Sequence, residues 1–288
     1  MYKCFLCNYN SNDNIESVNH LQKQHKYFIP EPKQRKFYKN SFNISIYNSH
    51  NLLVKSYTDN EHKDFIIRCI YKYNYYEPLI SILFLKLLND KDIFIDIGAN
   101  IGYYSLICSK TCKQVYSFEP LKLNYDILNE NIKINNINNI IVNNSAISNE
   151  NNIKMNFTYG TSKICENGDI NVDNISLDNY VNLNNITKIK LIKIDVEGYE
   201  IKVLETMIII LKNNMVDYIM CEVLQNTYNE VCEIFKQFGY NKIYDLGTGF
   251  VLNNYSLNET MMMEFDEILK NYELKIFNSS NTNLLFAK

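Results

Sequence analysis

The chain has 288 residues, 46% of them hydrophobic, which is room for one large domain, or a domain with an appendage, around a real core. Its 29 basic and 32 acidic residues leave a net charge of -3, so no global field draws it to nucleic acid or acidic lipid and any such attraction has to be local. No apolar run approaches the roughly 20 residues of a membrane span, the start MYKCFLC has no basic-then-apolar leader, and the eight cysteines form no disulfide framework, so a cytosolic, reducing setting is expected.

The N-terminal stretch carries Cys4 and Cys7, then His20 and His25, in the spacing C-x2-C-x12-H-x4-H. Two thiolates on a short knuckle and two histidines about one helical turn apart are the donor set of a tetrahedral structural zinc site. Residues 1–28 are therefore expected to be a zinc-finger-like module whose fold depends on its metal. A solitary finger reads about three base pairs at most, so it is poor grounds for sequence-specific DNA binding. The segment KYFIPEPKQRKFYK that follows is basic and holds two prolines. It reads as a linker within a 29–75 extension; a weak nucleic-acid or protein contact through it is the alternative to a plain solvated linker.

Alternating apolar and polar residues between Phe42 and Tyr57, broken at 48–51, suggest a hairpin. Pro78 then opens an apolar helix over 79–88, and the main domain is expected to run from 76 to 288. Strands are expected at 93–97, 114–118, 139–143, 189–194, 217–223, 240–244, 248–252 and 283–287. Helices are expected at 102–110, 121–136, 198–212 and 226–238. Regular alternation of strand and helix, with strands such as KLIKI and DYIMCEV nearly continuous in apolar residues, describes a doubly wound α/β sheet covered on both faces. Its ligand should lie beyond the carboxyl ends of the strands.

Those ends carry the chemistry. In Asp96-Ile-Gly98-Ala-Asn100-Ile-Gly102 the glycines permit a tight strand-to-helix turn and a close approach to a ligand. The next strand ends in Phe118-Glu119-Pro120, with Glu119 placed to accept hydrogen bonds from both hydroxyls of a ribose. A dinucleotide fingerprint would need glycine where Asn100 and Tyr103 stand, so a nucleoside without a pyrophosphate, S-adenosylmethionine, fits better. Asp195 ends the fourth strand with Glu197 two residues on. A carboxylate there can take the proton of an attacking hydroxyl or orient it, while a helix-capping role is the plainer alternative, above all for Glu197. Glu222, ending the fifth strand, is a weaker candidate for contact with the acceptor.

IFIDIGANIGYYSL, SFEPLKLNYDILNENIKIN and LDNYV followed by LIKIDVEGYEIKVLE resemble the motifs of the FkbM family of S-adenosylmethionine-dependent methyltransferases, over about 75–223. The resemblance implies a Rossmann-like class I methyltransferase fold, a seven-strand mostly parallel sheet with helices on both faces and the strand 282–287 antiparallel to the rest. It also implies that Asp96, Gly98, Asn100 and Gly102 line the methionine end of the cofactor, that Glu119 holds its ribose, and that Asn144 and Ala146 lie near the adenine. The activity it implies is O-methylation of a sugar or other small natural product. Two alternatives stay open: an RNA or DNA methyltransferase tethered by the finger, and an inactive methyltransferase fold serving as a binding protein.

Overall fold

A computed structural model describes residues 2–3, 10–11, 41–44, 52–55, 65–156, 162–165, 167–250, 256–273 and 281–288. The four expected zinc ligands, Cys4, Cys7, His20 and His25, and the basic linker lie outside the described residues. Tyr2–Lys3 pairs antiparallel with Asn10–Ser11 on either side of the Cys pair.

Seven strands form the central sheet: β1 Ile93–Ile97, β2 Gln114–Phe118, β3 Ile140–Asn143, β4 Ile189–Ile194, β5 Val216–Leu224, β6 Lys242–Asp245 and β7 Asn281–Ala287. Their spatial order is β6-β7-β5-β4-β1-β2-β3. β1 pairs parallel with β2 and β4, β4 with β5, and β2 with β3, whereas β7 runs antiparallel to both β5 and β6. The order reverses at β1 and β4, which puts the switch point of the sheet above the ends of these two strands.

Among the described residues ten helices cover the sheet or connect its strands: α1 Phe65–Tyr73, α2 Pro78–Leu87, α3 Tyr103–Cys108, α4 Lys122–Ile134, α5 Leu177–Leu183, α6 Glu200–Leu204, α7 Ile208–Lys212, α8 Tyr228–Gln237, α9 Leu257–Met262 and α10 Phe265–Lys270. α2 begins on Pro78, whose ring fixes φ where its missing N–H is not needed. Among the described residues no helix is long and apolar enough to cross a membrane.

Two expectations need correction. The helix expected over 198–212 is broken into α6 and α7. Thr206 Oγ1 donates to the Val203 carbonyl at 2.7 Å, and the Asp178 carboxylate of α5 accepts the Ile209 and Ile210 N–H groups at 2.9 Å, so a side chain from outside caps a second start. The strand expected at 248–252 is not formed at 248–250, where the chain turns between Gly247 and Gly249, both at positive φ. Residues before 76 also pack against the core. Leu52 and Val54, from the expected hairpin (Ser41–Ile44 with Leu52–Lys55), and Ile67 and Ile70 of α1 are buried in the same core cluster as Leu79 and Phe94. The Asn135 side chain clasps the Leu53 backbone, accepting its N–H at 2.8 Å and donating to its carbonyl at 2.7 Å.

Candidate active site

At the end of β1 the Gly98 and Ala99 N–H groups both reach the Phe118 carbonyl of β2 at 3.0 Å, and the Asp195 N–H reaches the Ile97 carbonyl at 3.1 Å. The turn is thus tied to both neighbouring strands. Gly98 has φ 78°, and a methyl group on it would run into the Asp195 carbonyl, so the approach of β1 to the end of β4 requires glycine. Asn100 also lies in the left-handed region, at φ 51°, which Asn tolerates better than most residues. Gly102 begins α3 and lies against Leu128 of α4.

A cavity of about 350 Å³ opens above this turn. Glu119, only 5% exposed, lines it: one carboxylate oxygen accepts the Asn100 N–H at 2.8 Å and the other the Leu121 N–H at 2.9 Å. The oxygen that accepts from Leu121 also accepts the Asn124 amide at 3.5 Å, so the lone pair left for a ligand hydroxyl is on the oxygen that accepts from Asn100. Burial pushes the Glu119 carboxyl up to about 7 against these hydrogen bonds. Beside it, Asn124 of α4 is buried with its side-chain oxygen unpartnered, and it too lines the cavity. A buried acceptor without a donor marks a place where a ligand group completes the hydrogen bonding.

On the other side of the turn, β4 and β5 bring Asp195, Glu197 and Glu222 together, with carboxylate oxygens within 4.8 Å of one another. Lys193, 2% exposed in the middle of an apolar strand, stands behind them. Its ammonium is 2.9 Å from Asp195 Oδ2 and 3.8 Å from Asp96 Oδ1, and lies over the Tyr104 ring. Burial alone raises the Asp195 carboxyl, but the Lys193 charge and hydrogen bonds from Glu222 and Lys193 hold it below the ordinary carboxylate value. The Asp195 charge, and then burial, lift Glu222 to about 10, so at neutral pH Glu222 is the acid that donates to Asp195.

Gly98, Asn100, Glu119, Ala146, Asp195 and Glu197 of the sequence candidates come together around this one cavity. Three others sit elsewhere. Asp96 is 1% exposed and turns inward, accepting from Ser105 Oγ at 2.6 Å and facing Lys193. Gly102 packs under α4, and the Asn144 amide donates at 2.9 Å to the Glu119 and Pro120 carbonyls, so that Ser145 rather than Asn144 lines the wall beside Ala146. Sequence reasoning passed over Lys193 and Asn124. A lysine inside the apolar run KLIKI was a readable signal, because a buried ammonium demands carboxylate partners; Asn124 gave none among so many asparagines.

Comparison with known proteins follows the same lines. Over 129 residues the chain is 32% identical to the hexuronic acid methyltransferase AglP of Haloferax volcanii, covering 43% of this chain and 54% of that protein. An uncharacterized protein of Methanocaldococcus jannaschii is 36% identical over 55 residues, 19% of this chain and 21% of that one. The chain therefore spans about half, or less, of the length of these relatives. A solved rRNA methylase from Streptococcus thermophilus aligns with 73% of this chain and 93% of its own, at 13% identity and a TM-score of 0.43. The methyltransferase FkbM domain matches residues 96–242, half of the chain, with the glycine turn at its start and the Glu119 and Asp195 ends within it. The chain belongs to the FkbM methyltransferase family.

Proposed function

We propose that the chain is an O-methyltransferase that uses S-adenosylmethionine to methylate a hydroxyl on a sugar or other small natural product. The observation that carries this reading is the single cavity shared by the glycine turn, Glu119 and Asp195. The residues fit the cofactor: a backbone approach that excludes a methyl group at Gly98, a carboxylate with a lone pair to spare at Glu119, and an orphaned acceptor at Asn124. When bound, S-adenosylmethionine supplies an electrophilic methyl group on sulfur. In this reading Glu119 accepts the two ribose hydroxyls, Asn100 and Gly98 line the path of the chain beyond the ribose, and Ser145 and Ala146 form the wall for the adenine.

Asp195 is the group that receives the acceptor's proton. It is ionised at neutral pH, held in place by Lys193, and fed a hydrogen bond by Glu222. Glu197, at φ 55° on the turn into α6, orients the acceptor beside it. The sugar assignment leans on the name of AglP. We also read Cys4, Cys7, His20 and His25 as a structural zinc site, supported by their spacing and by the strand pair that brackets the two cysteines.

The test is a tritiated-methyl transfer screen across glycans, RNA and protein, run beside calorimetric binding of S-adenosylmethionine. Label should enter a glycan and be lost in Asp195→Asn. Wild-type protein that does not bind S-adenosylmethionine, or a Glu119→Ala variant that binds it equally well, refutes the reading.

A further inference from the structure

Glu77, the residue before Pro78, is tightly constrained in the structure. It precedes α2 at φ 39° and ψ 71°, a left-handed backbone that a glutamate adopts only at a cost. Several contacts hold it there. The Tyr103 hydroxyl accepts the Tyr76 N–H at 3.0 Å and donates to the Tyr76 carbonyl at 2.9 Å, and the Leu79 N–H donates to the Gly249 carbonyl at 2.9 Å. A methyl group on Gly249 would sit 2.8 Å from Glu77 Cβ, so the turn after β6 presses directly against this residue. Backbone strain kept up from two sides points to a side chain that has to be where it is.

Its carboxylate lines the cavity although the residue is only 8% exposed, and it accepts the Tyr104 hydroxyl at 2.5 Å. Among the described residues no cation forms an ion pair with it. Among the described residues of the cavity wall Lys193 is the only Lys, Arg or His; it pairs with Asp96 and Asp195, and its charge reaches Glu77 only from beyond ion-pair distance. Burial pushes the Glu77 carboxyl up to about 8, with the Tyr104 hydrogen bond opposing and the Asp195 charge adding to the rise. A buried carboxylate of this kind is completed by a positively charged donor.

Glu77 shares the cavity with Glu119, which is tied to the glycine turn through the Asn100 N–H, whereas Asp96 does not line it and is turned into the core. With the ribose at Glu119, the amino-acid end of S-adenosylmethionine extends over the turn toward α3 and Glu77, and its α-ammonium is the N–H donor it carries there. We infer that Glu77, rather than Asp96, is the carboxylate that receives the α-ammonium of the cofactor's methionine moiety. The inference rests on the cofactor reading above.

Calorimetric titration of wild type and Glu77→Gln with three nucleosides tests it. These are S-adenosylhomocysteine, its analogue lacking the amino group, and 5′-methylthioadenosine, which lacks the whole amino-acid end. Glu77→Gln should weaken S-adenosylhomocysteine at least tenfold, as expected for a lost charge-assisted hydrogen bond, and leave methylthioadenosine within twofold. In wild type the deaminated analogue should bind at least tenfold more weakly than S-adenosylhomocysteine, and in Glu77→Gln the two should bind alike. A smaller loss, an equal loss for all three ligands, or discrimination by the amino group that survives in the variant overturns the assignment. If wild type binds none of the three, the cofactor reading itself falls.

Discussion

Lys193→Met keeps most of the length of the side chain and removes the charge that Asp96 and Asp195 share. At an effective dielectric constant of about 20, attraction across the 2.9 Å contact to Asp195 is roughly 6 kcal/mol and across the 3.8 Å contact to Asp96 roughly 4 kcal/mol, before the cost of desolvating all three groups is set against them. Removing one partner of such a buried arrangement leaves the others uncompensated, and we expect a loss of about 3–5 kcal/mol at pH 8, measured by urea unfolding. The loss has a defined pH dependence. Without the ammonium, the folded-state values of both carboxyls rise above their unfolded values, so the variant is least handicapped where they are protonated and loses stability as pH rises through the raised values. The deficit should therefore shrink between pH 8 and pH 5, and adding Asp195→Asn should recover part of it. A deficit below about 1 kcal/mol, or one equal at the two pH values, would refute the account of Lys193 as the charge shared by buried Asp96 and half-buried Asp195.

Gly98→Ala combines a left-handed backbone with a collision against the Asp195 carbonyl; we expect a loss of at least about 2 kcal/mol in thermal unfolding together with weakened S-adenosylmethionine binding, and normal stability would contradict the tight β1–β4 approach. Because burial raises Glu119 to about 7 in the free protein and ribose hydroxyls favour its ionised form, affinity for S-adenosylmethionine should fall by up to tenfold per unit as pH drops below 7, and Glu119→Gln should flatten that profile in calorimetry. Thr206→Val removes the hydroxyl that ends α6, and unfolding should become easier by about 1–2 kcal/mol; an unchanged midpoint would mean that Asp178 alone sets the break. Purified full-length protein should carry one zinc per chain by elemental analysis, reduced by Cys4→Ser, and a metal-free chain would dismiss the finger.

The frame of the fold was legible because its cues are local. DIGANIG and FEP each close a strand with residues of unusual conformational or electrostatic demand, and the uninterrupted apolar strands announced helices on both faces. What stayed hidden depends on partners distant in the chain. Nothing near Thr206 says that Asp178 will cap a new helix, and nothing near Leu53 announces the clasp of Asn135. The family resemblance implied Asp96 as a residue lining the cofactor, and no local cue told that strand alternation turns it to the face where Ser105 and Lys193 wait. Glu77 was obscure for the opposite reason: its backbone belongs to a helix start, and only the Gly249 turn, over 170 residues later, explains its geometry.

The position of β7 between β5 and β6 bears on how the molecule is made. During synthesis β5 and β6 emerge as neighbours in sequence with no hydrogen bonds between them, and each keeps an open edge until residues 281–287 arrive to pair with both. The nascent domain therefore presents two unsatisfied strand edges until residues 281–287 have been made, and a ribosome stalled before Asn281 would hold a sticky intermediate. Closure of the sheet is a long-range event that waits on β7, which makes that strand the timekeeper of its folding.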